Sequence, residues 1–482
     1  MSAVNDGAVH KTWLLWLLLG AVWVATLQIR PLIDPDEGRY AEIPREMWLS
    51  GDWITPHLNG LVYFEKPPLQ YWATAGLYSL FGAHVWTARL WAVLLAFACM
   101  PMVYAFARRI GYGRRSSLVA AMLLAVSPYF AVVGQISLLD QGFTFFMTAT
   151  LFAFVLAQRE ERAAAAGRNY MLVAWAALAL AVLSKGMVAI ALIGATLAVY
   201  AAVTRSLAFM WRMHWVAGVP LFGTIAVPWF LAVQHAQPQF AQFFFIHEHV
   251  QRFLTTISDR VEPWWYFLPI LLFAWIPVIW SARAAVVSNW KSDAVAAELQ
   301  TGKLLLIWCA VVLLFFSLSQ SKLAPYILPM MPVLAVLFGR VVSVRKRSGE
   351  VALAVVVPLL CVAGIGMMIF GFNKAHAIGP ALAGWSCAAI VIGLLGGGTA
   401  MRMPQAAPVI WVVLAVTSIA GFQALFGAYN SLPRTRSARD MARTVSASVG
   451  AATALFTVGH YRQSMGFYLG RTLDVFDYRG EL

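Results

Sequence analysis

Apolar runs long enough to cross a bilayer, roughly 17 to 25 residues, recur along the whole chain with short polar breaks between them. About thirteen can be marked, near 12–30, 85–107, 116–134, 141–158, 170–184, 187–203, 216–233, 263–283, 303–319, 327–343, 351–372, 381–400 and 407–428. The pattern predicts an all-α polytopic membrane protein. No small-residue cleavage site follows the first run, so it is expected to remain as an anchor. There is no repeat of solenoid period, and no inverted pair of Gly/Pro-broken runs of the kind found in many transporters.

Two stretches depart from this pattern. The loop 31–84 predicts a short helix near 38–49, with Tyr40, Ile43 and Met47 on one face, Gly51 as its stop and a restart at Pro44. Trp48, Trp53, Tyr71 and Trp72 suit a helix lying on the membrane surface. The tail 430–482 alternates PRTRSARDMARTV (helix), ALFTVGH (strand), RQSMGFYL (helix) and TLDVF (strand). It reads as a small α/β module outside the bilayer, too short for an independent core and dependent on the membrane domain 1–429.

Composition agrees with a membrane protein: the 482 residues are 61% hydrophobic and 12% charged. Cys99, Cys309, Cys361 and Cys387 all fall in apolar runs, where no disulfide or CxxC metal framework is implied. The net charge of +14 is distributed against a nucleic-acid partner. RRIGYGRR (108–115), REERAAAAGR (159–168), TRSLAFMWR (204–212) and VRKR (344–347) lie between alternate runs. That bias places those loops in the cytoplasm. The loops 31–84 and 234–262, the SLLDQ turn, SQSKLAPY and the C-terminus are then outside.

The unusual charges gather on that outer face. A charge near a bilayer is costly unless paired or facing water, so each is a functional candidate. DPDEGRYAEIPRE packs five carboxylates and two arginines into thirteen residues, 34–46. In YFEKPPLQYW, two prolines stiffen the backbone after Glu65 and Lys66. Asp140 closes SLLDQ, Lys185 ends a run at LSKGM, and FIHEHVQRF carries His247, His249 and Arg252. SQSKLAPYILP brings Lys322 and Tyr326 to the head of a run. Each also has a plainer explanation: a solvated ion pair, a helix N-cap at Asp140, a snorkelling Lys185, an interfacial anchor. His-x-His alone lacks the third ligand that a metal needs. Together, fixed cations suit a phosphate, and carboxylates suit sugar hydroxyls, an amine or a metal. The chemistry indicated is transfer of a polar group between lipids at the outer leaflet.

These residues resemble the lipid A aminoarabinose transferases (undecaprenyl-phosphate-sugar:lipid A glycosyltransferases). That family is related to the dolichyl-phosphate-mannose protein mannosyltransferases and has the GT-C membrane fold. DPDEGRYAEIPREMWLSGDW, YFEKPPLQYW, SLLDQGFTFF and SKLAPYILP carry the resemblance, which runs from residue 12 to 482. It implies catalytic roles for Asp36, Lys66 and Asp140. Lys66, Arg252, Tyr326 and Arg39 would bind the donor phosphate, and Tyr40, Tyr63, Glu37, Lys185 and Lys322 would face sugar or acceptor. Glu65 and His247 would hold a divalent metal (zinc, magnesium or manganese). Family members continue past the motif standing here as VFDYRGEL, so the α/β module is expected to be incomplete.

The expected reaction moves a sugar, such as 4-amino-4-deoxy-L-arabinose, from undecaprenyl phosphate to a lipid A phosphate by an inverting displacement. The expected setting is a monomer in the bacterial inner membrane with its site facing the periplasm. The alternatives are a protein O-mannosyltransferase, a transferase for another sugar and envelope acceptor, and a flippase or transporter. A transporter would place charges near the middle of several runs, whereas here they gather at outer ends.

Overall fold

A computed structural model describes residues 6–160, 165–251, 260–291, 299–375, 378–403, 408–432, 436–450 and 453–478. The helices in chain order are α1 (Asp6–Val24), α2 (Asp36–Ser50), α3 (Leu69–Phe81), α4 (Val85–Arg109), α5 (Arg114–Val126), α6 (Pro128–Val133) and α7 (Leu139–Arg159). There follow α8 (Ala165–Lys185), α9 (Val188–Thr204), α10 (Trp215–Ala236), α11 (Phe267–Trp275), α12 (Ala282–Lys291), α13 (Thr301–Leu318) and α14 (Met331–Val344). The chain closes with α15 (Ser348–Ala375), α16 (Pro380–Met401), α17 (Val409–Asn430), α18 (Arg439–Ser448) and α19 (Ser464–Leu469).

Nine described helices have the length and apolarity to cross a membrane. The protein is a multi-pass membrane protein. The other four predicted runs are helical but shorter or broken. Trp13–Val24 and α9 are apolar and short. Ser127 and Pro128 split the third run into α5 and α6, because proline offers no N–H and forces its predecessor to extended backbone. The run 263–283 bends by 99° between Phe267–Trp275 and Ile279–Lys291, at Pro277.

On the outer side, α2 runs unbroken through Pro44 and stops at Gly51, whose left-handed backbone (φ 74°) suits glycine. Most of its faces are covered by protein. Tyr40, Ile43 and Met47 are buried, and so are Glu37, Arg39, Glu42 and Arg45 on its other faces. Tyr71 is likewise fully buried, while Trp53 is exposed. The tail covers α2 from outside. Its elements match the predicted order, with β3 (Phe456–Val458) pairing parallel to β4 (Asp474–Phe476).

The clamp between tail and outer loop is polar. Ser464 donates to Asp34 from its backbone N–H (2.7 Å) and its hydroxyl (3.0 Å). Arg45 donates to the Gly470 carbonyl at 3.1 Å, and Asn59 exchanges two 2.8 Å bonds with the Leu473 backbone. Asn59 and Gly60 turn a two-residue hairpin joining β1 (His57–Leu58) to β2 (Leu61–Val62), and the Glu46 carboxylate accepts from both of their N–H groups. At Gly38 the approach is so close that a Cβ would sit 2.4 Å from both Asp34 Oδ1 and Ser464 N.

Two outcomes follow for the clamp. Gly38→Ala forces the tail away from α2, because one contact is backbone and cannot yield. Limited proteolysis of the purified protein should therefore cleave the tail at least tenfold faster, with the membrane helices intact. The second outcome concerns pH. Burial pushes the Asp34 carboxyl up to about 6, against the opposing hydrogen bonds of Ser464. The docked state then holds a proton that the undocked carboxyl releases near its ordinary 3.8, so docking is tightest at low pH and weakens as pH rises to about 6. Tail protection should fall as pH rises from 3.8 to about 6, and Asp34→Asn should remove that part of the fall.

Candidate active site at the outer face

The first turn of α2 separates two adjacent acids. Glu37 turns inward and is 1% exposed. Its carboxylate accepts from Arg89 Nε at 2.8 Å and Nη2 at 2.7 Å, and from the backbone N–H groups of Ser137 and Ile33. Burial alone would raise this carboxyl, but the Arg89 guanidinium outweighs it and holds Glu37 below the usual carboxylate range. Asp36 turns outward, its side chain 34% exposed, with Arg39 Nη1 at 3.7 Å. Arg39 lies over the Tyr63 ring at 5.5 Å, and Tyr40 packs against Tyr71 with ring centroids 6.3 Å apart.

From Tyr63 the network continues along the strap that leads to α3. The Tyr63 hydroxyl donates to Glu65 Oε2 at 2.9 Å. Lys66, held just before Pro67 and Pro68, donates to the Glu65 carbonyl at 2.9 Å and to Glu248 Oε2 at 2.9 Å. Glu248 comes from a π-helical turn, Gln242–Gln251, a geometry often found at functional sites. On the same turn His247 stacks on Phe243 at 5.0 Å, with Nδ1 3.6 Å from Glu248 Oε1.

A second group stands where α7 begins and α8 ends. Asp140, in the first turn of α7, is ion-paired with Lys185, the last residue of α8. The Lys185 ammonium lies 4.3 Å from the Tyr326 ring centroid and 5.6 Å from that of Phe143. The Tyr40 phenol links the two groups. Burial raises it well above its ordinary value, and the charges of Asp36 and Asp140 both add to the rise. Acids and cations from α2, the strap, the π-helical turn, α7 and α8 thus form one electrostatic neighbourhood. An anion can settle beside Lys66 or Arg39 only by sharing the cation with a carboxylate already there.

Several sequence expectations need correction. Glu37 does not face a substrate, because Arg89 and two backbone N–H groups enclose its carboxylate. Lys322 is 5% exposed and folds back to donate to the Ser319 carbonyl at the end of α13, so it closes a helix rather than meeting an acceptor. Arg252 lies outside the described residues. The pair Glu65 and His247 does not fit a closed metal site. Among the described residues no three metal-ligating groups converge, Glu65 Oε2 accepts from Tyr63, and His247 leans toward Glu248. Sequence reading also passed over Glu248, which holds Lys66, although an acid between two histidines in an apolar loop was there to be noticed.

Comparison with known proteins bears on this arrangement. The model of the dolichyl-phosphate-mannose-protein mannosyltransferase family matches residues 10–244. An undecaprenyl phosphate-α-4-amino-4-deoxy-L-arabinose arabinosyl transferase of Pseudomonas fluorescens is 32% identical over 479 residues, covering 92% of this chain and 79% of the relative. A second such transferase from that species is 34% identical over 355 residues, 71% of this chain and 62% of its own length. Among solved structures, ArnT from Cupriavidus metallidurans bound to undecaprenyl phosphate superposes with a TM-score of 0.87 at 32% identity, over 98% of this chain and 86% of that one. An oligosaccharyltransferase from Archaeoglobus fulgidus, at 12% identity and a TM-score of 0.55 over 97% of this chain and 65% of that one, shares the fold alone. By this identity over most of both chains and by the shared framework, the chain belongs to the undecaprenyl phosphate-4-amino-4-deoxy-L-arabinose arabinosyl transferase family, membrane glycosyltransferases of the GT-C fold.

Proposed function

We propose that this protein transfers 4-amino-4-deoxy-L-arabinose from undecaprenyl phosphate to a phosphate of lipid A at the periplasmic face of the inner membrane. The observation that carries the reading is Lys66, a cation fixed by Glu65 and Glu248 one strap away from the outward carboxylate of Asp36. In a chain that superposes on a transferase bound to undecaprenyl phosphate, Lys66 supplies the donor phosphate with a pre-placed charge.

The donor's lipid tail lies in the membrane and its phosphate is the leaving group. As the bond between sugar C1 and phosphate oxygen breaks, the electron pair stays on the phosphate. Lys66, Arg39, Arg252 and Tyr326 stabilise the charge that develops there. An oxygen of the acceptor phosphate attacks C1 from the opposite face, and the configuration inverts in one step. A phosphate with a second pKa near ~6 is already largely ionised at neutral pH, so it needs no strong base. Asp36 is then free to pair with the sugar's ammonium, through a charge-assisted bond about twice as strong as a neutral one. Asp140 acts as a positioning residue, holding Lys185 against the Tyr326 ring.

The test is mass spectrometry of lipid A from cells with and without the gene. An added aminopentose on lipid A phosphate, present only with the gene, is the expected result; unchanged lipid A would refute the assignment. Within that assay Lys66→Ala should lower transfer by about 10²–10³, the usual cost of one contact to a developing oxyanion, at unchanged protein level. Near-normal transfer would remove Lys66 from the site.

A further inference from the structure

The tail and the outer loop enclose between them a cavity of about 1070 Å³. Asp34, Pro35 and Arg39 line it from the outer loop, and Arg436, His460 and Arg462 line it from the tail. Arg39 also stands 3.7 Å from Asp36, so the cavity adjoins the cluster that the proposed transfer uses. Resting on the lipid A assignment above, we propose that this cavity seats a second phosphate of the acceptor while the first is glycosylated beside Asp36. The enzyme thereby selects a lipid A that carries two phosphates.

Two of the cations on the wall are both accessible and uncommitted. Arg436 and Arg462 are exposed, and neither side chain has an ion-pair or hydrogen-bond partner among the described residues. The carboxylate on the wall, Asp34, is already held by the Ser464 N–H and hydroxyl. Guanidinium forks left free in a recess suit a phosphate, whose oxygens they meet in pairs. Their backbones are fixed as well. The Arg436 carbonyl accepts the Asp34 N–H at 2.6 Å, and the Arg462 carbonyl accepts the Met465 N–H at 2.9 Å. Gln463 and Ser464, which follow Arg462, press on Gly38 of α2. The clamp that docks the tail therefore also holds both arginines at a set distance from Asp36.

Size and lining favour part of a sugar headgroup over a lone ion. Lipid A is a diglucosamine with a phosphate at each end, so while one phosphate reacts the other lies beyond two sugar rings. Ligand pockets span roughly 300–1,000 Å³, and this cavity stands at the upper end of that range. Beside the arginines its wall is apolar, formed by Met441, Val445, Leu455 and Phe456. Met441 and Phe456 are more than half exposed, at 53% and 59%, and offer the carbon faces of sugar rings a surface to pack on. A few charged groups that fix orientation within an apolar lining are the usual make-up of a ligand pocket.

The experiment is transfer by the purified full chain, at saturating donor, to lipid A with two phosphates and to its two single-phosphate forms. The wild type should show a KM at least about tenfold higher for whichever single-phosphate form reacts, the worth of a hydrogen bond to a charged group, with kcat little changed. Arg436→Gln and Arg462→Gln should each raise the KM for the two-phosphate acceptor. The double variant should bring it to the single-phosphate value, and should leave the KM for the single-phosphate form as it was. Both side chains are exposed, so the variants should fold, with the tail as resistant to proteolysis as in the wild type. Equal KM values of the wild type for one and two phosphates, or a double variant that still tells them apart, overturn the proposal and leave the lipid A assignment standing. No transfer by the wild type to any of the three lipids refutes that assignment, and the second-phosphate site with it.

Discussion

Arg89 is the group on which the outer face depends. It sits in the second turn of α4 and is fully buried. Two of its nitrogens hold both oxygens of Glu37, and it donates further to the carbonyls of Leu27, Arg30 and Pro31. One side chain thereby joins the exit of the first span, the start of α2 and the head of α4. Ser137 joins the same assembly, giving its N–H to Glu37 and its hydroxyl to the Ala88 carbonyl. A buried ion pair is stable only when the remaining hydrogen-bond capacity is filled, and removal of one partner then costs about 3–5 kcal/mol. Here that capacity is filled by backbone, so the pair fixes chain path as well as charge.

The chemistry follows from that fixed rotation. Successive residues of an α-helix differ by about 100° in direction, so with Glu37 pinned inward Asp36 must look outward. Arg39, one turn on, then lies between Asp36 and Tyr63, and Tyr63 passes the connection to Glu65 and Lys66. The second group, Asp140 with Lys185, is anchored to the first through the same SLLDQ turn that gives Glu37 its Ser137 N–H. A change at Arg89 would therefore reach both groups without touching substrate.

Much of this was legible in the sequence and some was not. The membrane class, the outer position of the motifs and the order of helices and strands in the tail follow from hydrophobic period and loop charge, which are local properties. The ion pair of Asp140 with Lys185 is not foreseen from the sequence, although both residues stand out there as outer-face candidates. What the sequence left open was how neighbouring side chains are turned. Asp36 and Glu37 are adjacent acids, and only the rotation of α2 decides which faces inward. Arg89 stood in the apolar run TARLWAVLL, where a lone charge already asks for a partner, but that partner is 52 residues away in sequence. Glu248 depends on a contact across loops with Lys66 and Lys322 on a local turn back to Ser319, and periodicity encodes neither. The hairpin at 57–62 was readable from Asn59–Gly60 between apolar residues and was passed over.

The central claim is a division of labour between two adjacent acids: Glu37 holds the site and Asp36 works in it. The direct measurement is thermal unfolding and transfer rate, side by side, for purified Glu37→Gln and Asp36→Asn with defined donor and acceptor lipids. The account predicts that Glu37→Gln loses about 3–5 kcal/mol of stability, while the fraction that stays folded still turns over. It predicts that Asp36→Asn unfolds like the wild type and is severely impaired in transfer. A Glu37→Gln protein as stable as wild type but inactive, or an Asp36→Asn protein that unfolds early with full activity per folded molecule, would contradict it.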